Sequence, residues 1–243
     1  MTPISPRLAL LQQVVACVTA SNAHFSLLSR PGIYTHPILY FGDPAVAEYA
    51  TFGVNPSAAE FTRGRWPQVN MTAHQLDSRL VGYFHNATVP AHPWFKGYET
   101  CFNMFGHSYR TNAVHLDLSP RATVAMQSAD PNLFLQMIAA DMQWFLSALG
   151  ICGRLKAAIM AGSVTKKFYF DEFLKAYLPP THSLKLRTRL GTGRRGATAL
   201  YHLTGPRLSV PVLFCGTSPS GDKGVRLAGE IQRHLPVLKS AGF

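Results

Sequence analysis

Three short polar segments each follow or interrupt an apolar run and carry side chains able to do hydrolytic or binding chemistry. The first is Phe52-Gly53-Val54-Asn55-Pro56-Ser57, with Glu60-Phe61 close behind. The second is Thr111-Asn112-Ala113-Val114, with Asp117 following. The third is Thr217-Ser218-Pro219-Ser220-Gly221. An asparagine amide is donor and acceptor at once, so it can orient a water or read the edge of a heterocycle. A serine hydroxyl can donate to an oxygen that is gaining negative charge. A carboxylate such as Asp117 can polarise a water or steady a developing cation.

A fourth segment carries charge. Lys185-Leu-Arg187-Thr-Arg189-Leu-Gly-Thr-Gly-Arg194-Arg195-Gly196 is the densest basic stretch. Strand alternation would set Lys185, Arg187 and Arg189 on one face, with Arg194 and Arg195 at a hairpin tip that grips a phosphate backbone. Its Gly191-x-Gly193-x-x-Gly196 spacing matches a dinucleotide fingerprint, but no apolar strand runs directly into it and two arginines fill the spacer. The histidines show neither HxxxH nor HxH spacing, so no metal site is expected. Thr217 stands where a serine-hydrolase elbow needs glycine, so that reading fails too.

The elements that must position these residues follow from periodicity. Helices are expected over Ser5–Ala20, Thr72–His85, Trp94–Phe105, Asp130–Leu149, Ser163–Tyr177 and Asp222–Leu235. Strands are expected over Ala47–Val54, Tyr109–Leu116, Leu155–Met160 and Val210–Cys215. Leu184–Leu190 and Thr198–Leu203 read as a separate basic β-hairpin, and Pro31–Pro44 as an irregular connection. Four strands, each running into a loop and then a helix, predict a single α/β domain over residues 1–243. Its architecture would be three-layer α/β/α around a central, mainly parallel four-stranded sheet, with sites at the strands' carboxyl ends.

Composition bounds the partner. The 243 residues carry 23 Lys and Arg against 12 Asp and Glu, a formal charge of +11, which points to a polyanion such as nucleic acid. Cys17, Cys101, Cys152 and Cys215 are far apart with no CxxC, which fits reduced thiols in the cytoplasm. No apolar run is expected to span a membrane, and the first residues lack a secretory pattern.

The ordered trio of segments resembles the uracil-DNA glycosylase superfamily, closest to its mismatch-specific and single-strand-selective branches. Their first motif is Gly-Ile/Met-Asn-Pro-Gly, and their last is Asn-Pro-Ser-Gly or His-Pro-Ser opening a helix. The resemblance spans Ala47 to Leu235 and implies a metal-free, cofactor-free enzyme, monomeric by default, acting on DNA that contains uracil or abasic sites. It implies that Asn55 positions the attacking water and that Pro56 fixes the turn. Gly53, Val54 and Ser57 would let the backbone approach an extruded nucleotide, and Asn112 would read uracil. Phe61 is the first choice for stacking on the base and Phe102 the second. Ser220 would hold a phosphate, and Lys223 adds a cation beside it. Ser218 departs from the pattern, since relatives have His or Asn there and a hydroxyl is the weaker donor. Asp222 follows where an apolar wedge is usual, leaving Val225 or another loop for that role. A non-catalytic uracil- or abasic-DNA binder of the same fold, and an α/β enzyme on free nucleosides or nucleotides, are the competing readings.

Overall fold

The computed structural model describes residues 4–20, 24–26, 32–62, 64, 66–67, 69–86, 91–124, 130–164, 168–191, 198–219 and 222–243. It is a mixed α/β protein. Its strands are β1 (Tyr40–Phe41), β2 (Tyr49–Gly53), β3 (Ala113–Asp117), β4 (Ala157–Ala161), β5 (Ser183–Arg189), β6 (Thr198–Gly205) and β7 (Leu208–Cys215). Its helices are α1 (Pro6–Ala20), α2 (Ala73–Val81), α3 (Phe95–Asn103), α4 (Pro131–Ile151), α5 (Phe170–Tyr177), α6 (Asp222–Arg233) and α7 (Leu235–Ser240).

One seven-stranded sheet runs in the order β1-β3-β2-β4-β7-β6-β5. The expected count of four is therefore too small. The four anticipated strands form the parallel centre, β3-β2-β4-β7. Two features extend it. β1 adds antiparallel to β3 out of the segment read as irregular. The basic hairpin is not separate, because β6 pairs along its whole length with β7 and carries β5 as the outer strand. That pairing is built by a tight turn at Pro206-Arg207, where Arg207 takes a left-handed φ of 66°.

All five residues of β2, of β3 and of β4 are buried. Successive strand residues face opposite ways, so both faces of the sheet centre are covered. On one face Phe52 meets Phe145 of α4 edge-on at 5.0 Å. On the other, His115 meets Trp94, just before α3, and Phe95 within it, at 4.9 and 5.2 Å. The central strands thus lie between α4 and α3, and this puts His115 and Asp117 of β3 on the α3 side.

α4 starts where its sequence says it should: Asp130 accepts from the backbone N–H groups of Asn132 and Leu133, and Pro131 occupies the first turn. At 21 residues it is long and apolar enough to cross a membrane, contrary to expectation. In this fold it packs against the sheet, and its Asp141 accepts from Ser119 and Arg121 in a buried cluster. α5 is much shorter than expected. Gly162 takes a φ of 85° and Ser163 bridges to Tyr169, so the chain turns before the helix can begin.

Candidate functional site

The carboxyl ends of β2, β3, β4 and β7 open into one cavity of about 770 Å³. Its walls include Gly53 to Ser57 after β2, Asp117 at the end of β3, Gly162 and Ser163 after β4, and Gly216 to Pro219 after β7. Trp94 and Phe95 form the α3 side, and the exposed Phe168 and Tyr169, just before α5, also line the cavity.

Asn55 is held rigidly. Its Nδ2 donates toward the carbonyl oxygens of Pro56 and Arg121 and toward Thr123 Oγ1, at 2.9 to 3.1 Å. These bonds tie the loop after β2 to the segment after β3, and the Ser57–Thr123 bridge extends the same tie. With the amide nitrogen committed to the protein, Oδ1 is the atom of Asn55 left to accept from a water. Pro56 is buried and Ser57 exposed, its Oγ accepting from Ala59 N to begin the 3-10 turn Ala58–Thr62.

Ser218 is positioned by close backbone packing. A Cβ on Gly162 would lie 3.6 Å from Ser218 Cα. α3 and α6 cross so tightly that a Cβ on Gly97 would lie 2.2 Å from the Pro219 carbonyl oxygen and 3.1 Å from Gly224 Cα. Two glycines on different helices thus set the height of the Ser218 loop.

β3 contributes two buried polar side chains to the cavity, His115 and Asp117. His115 Nδ1 lies 2.8 Å from Thr51 Oγ1, which also bonds the Tyr109 hydroxyl, and His115 Nε2 lies 3.3 Å from Asp117 Oδ1. Asp117 Oδ2 is buried and has no hydrogen-bond partner among the described residues. Burial pushes the Asp117 carboxyl above its ordinary pKa, His115 opposes that shift, and the negative charge of Glu60 adds to it. Glu60, also on the cavity wall, accepts from Tyr83 Oη at 2.8 Å and from Trp66 Nε1 at 3.3 Å.

Comparison with family models, with curated proteins and with solved structures found no match.

Asn55, Gly53, Val54, Pro56, Ser57, Asp117, Ser218 and Lys223 therefore share one cavity. Asn112 does not. β3 begins at Ala113 rather than Tyr109, so Asn112 sits at the amino end of the strand, where its carbonyl accepts from Glu48 and Tyr49 N–H. Five residues at about 3.3 Å each separate it from Asp117, roughly 16 Å. Its side chain is engaged with His107 and Thr111. Phe61 is corrected as well. It is 2% exposed and packs against His36 and Trp66, because the 3-10 turn rotates it inward. Phe102 is likewise core, edge-on to Tyr109.

The basic strand departs from its expected pattern. The register shifts between Leu186 and Thr188, so Lys185 stands opposite His202 and Arg189 opposite Ala199. His202 and Ala199 are three apart in β6 and face opposite ways, so Lys185 and Arg189 do too. Arg189 pairs through Ala199 to Phe214, which places that end of β5 at the same sheet edge as the cavity. Arg194, Arg195 and Ser220 lie outside the described residues.

Sequence reasoning missed the cavity cation Arg226, the aromatic pair Phe168 and Tyr169, and the His115 link to Asp117. The i, i+2 spacing of His115 and Asp117 in an apolar strand was the available signal for the last. Val225 is 76% exposed between Lys223 and Arg226. Among the described residues, no three His, Cys, Asp or Glu side chains gather as metal donors.

Proposed function

We propose that this chain hydrolyses the N-glycosidic bond of uracil, or of a related deaminated base, in DNA, leaving an abasic site. The observation that carries the reading is the meeting of the Asn55 and Ser218 loops in one cavity at the carboxyl ends of the sheet's parallel central strands. Its volume of about 770 Å³ lies within the usual range of about 300–1,000 Å³ for small-molecule sites. Lys223 and Arg226 on its wall, and Arg189 at the same sheet edge, supply cations where the phosphates of an extruded nucleotide would run. The three-layer α/β/α arrangement expected from the strand–loop–helix order is part of this reading.

In the reaction the bond from sugar C1′ to the base nitrogen breaks and its electron pair leaves with the base. A water oxygen bonds to C1′ and releases a proton to solvent. Asn55 Oδ1 orients that water, its own amide nitrogen being anchored on two carbonyls. An amide is no general base, so the chemistry relies on the reactivity of the sugar cation and on stabilising the departing base. Asn112 has no role here, and the carboxyl end of β3 offers Asp117 to the base instead.

The test is incubation with labelled strands carrying uracil or thymine at one position, followed by alkaline cleavage of abasic sites. Product from the uracil strand alone is expected. Asn55→Ala should remove it, and Asn112→Ala should leave it unchanged. Binding without product would favour the non-catalytic reader. Turnover of free nucleosides with indifference to DNA would favour the nucleoside enzyme, and either result would overturn the proposal.

A further inference from the structure

We propose that Asp117 works as a neutral carboxylic acid whose Oδ2–H donates to a carbonyl oxygen of the bound base. The inference rests on the reading that this cavity takes a base.

The geometry carries it. Asp117 Oδ1 has His115 Nε2 as its partner, and Oδ2, on the same cavity-lining side chain, is buried with no partner among the described residues. A bare carboxylate oxygen out of water is far costlier than a bare hydroxyl, because the charge itself is desolvated. The groups facing Asp117 do little to hold a negative charge. β2 presents Gly53, with no side chain, and Thr51 behind His115. The 3-10 turn presents the acid Glu60, and the α3 side presents Trp94, Phe95 and Tyr98. His92, Lys223 and Arg226 line the same cavity, yet no Lys or Arg among the described residues forms an ion pair with Asp117.

His115 itself is the remaining candidate counter-charge. Its 3.3 Å separation from Asp117 is longer than the ~2.7–2.9 Å of a charge-assisted N–H···O bond. A neutral ring satisfies every contact: Nε2–H donates to Asp117 Oδ1, and Nδ1 accepts from the Thr51 hydroxyl, which in turn accepts from Tyr109. That chain ends at Oδ2, the one position left to a ligand. As the glycosidic electron pair moves onto the base, a carbonyl oxygen gains charge, and the Asp117 proton is shared with it without leaving the carboxyl. The burial-raised pKa keeps this proton in place at higher pH than an ordinary aspartate would. A donor of this kind offsets the weak hydroxyl at Ser218.

The test compares the unaltered protein with Asp117→Asn and Asp117→Leu. In infrared difference spectra between the unaltered protein and Asp117→Asn, recorded over a pH series, a protonated carboxyl C=O band is expected to persist above the ordinary aspartate range and to vanish as pH rises further. In uracil-DNA cleavage, kcat/KM should fall with rising pH through the same titration. Asp117→Asn keeps an N–H donor, so it should stay within about tenfold of the unaltered protein where the acid band is present, and lose that pH limb. Asp117→Leu should lose on the order of 10²–10³-fold, the usual effect of deleting one such donor. Absence of the acid band overturns the proposal even if uracil DNA is cut. So does activity that rises with pH and collapses in Asp117→Asn. An acid band with no cleavage of uracil DNA would instead sink the glycosylase reading and leave a neutral donor in the cavity.

Discussion

Gly53 and Asp117 are register partners across β2 and β3, and a Cβ on Gly53 would stand 2.5 Å from the Asp117 carboxylate and 2.4 Å from His115 Nε2. The glycine is therefore required by its neighbours, since the His115–Asp117 pair lies over its backbone. Gly53→Ala should displace both side chains. We expect a stability loss of about 1–3 kcal/mol, typical of overpacking, together with loss of uracil excision out of proportion to it. Denaturant melts and the cleavage assay, run on the same preparation, check this.

Gly97 sits in a harsher place. Its added Cβ would meet backbone, the Pro219 carbonyl at 2.2 Å, so no side chain can rotate away. Gly97→Ala should force α3 and α6 apart, at a cost at or above the ~1–3 kcal/mol usual for overpacking, and move the Ser218 loop. Gly106→Ala is a poor control because its φ is 80°, whereas Gly150→Ala in α4 meets open space and should be neutral or stabilising. Equal melting midpoints for the variants at 97 and 150 would contradict the crossing geometry.

Asn55→Asp tests what the amide is for. A carboxylate there would supply a general base, yet it would turn an acceptor toward the carbonyls of Pro56 and Arg121. We expect destabilisation of about 1–3 kcal/mol and no gain in excision rate. Faster cleavage with unchanged stability would show that the loop tolerates a base and that anchoring is secondary.

Asp117→Asn also predicts a pH dependence of folding. Unfolded, Asp117 loses its proton near the ordinary 3.8, while in the folded state it holds the proton to higher pH. The stability it contributes is complete below 3.8 and declines as pH rises toward the raised value. The amide has no such loss. The variant should therefore match the unaltered protein in acid and become progressively the more stable as pH increases. Urea unfolding across that range would show the gap, and a gap of opposite sign would mean that a cation stabilises the ionised carboxyl.

Much of the frame was legible from side-chain pattern. The four apolar runs became the parallel centre because strands buried on both faces must be apolar throughout, and that signal is local. The hairpin was legible, but its union with β7 was not, since pairing of β6 with β7 is a contact between segments that each look complete. The arginine spacing of β5 misled for a related reason. Alternation assumes an unbroken ladder, and the shift at Arg187 depends on the partner strand.

By itself the sequence determined that the chain is α/β, that Asn55 and Ser218 follow strands pointing the same way, and that the charge is strongly positive. These rest on local periodicity and composition. Only the tertiary structure decided which end of β3 faces the cavity, and so kept Asp117 on its wall and removed Asn112. Strand direction and start depend on hydrogen bonds to β2, and one strand's length is enough to carry a side chain from the site to the far edge of the sheet.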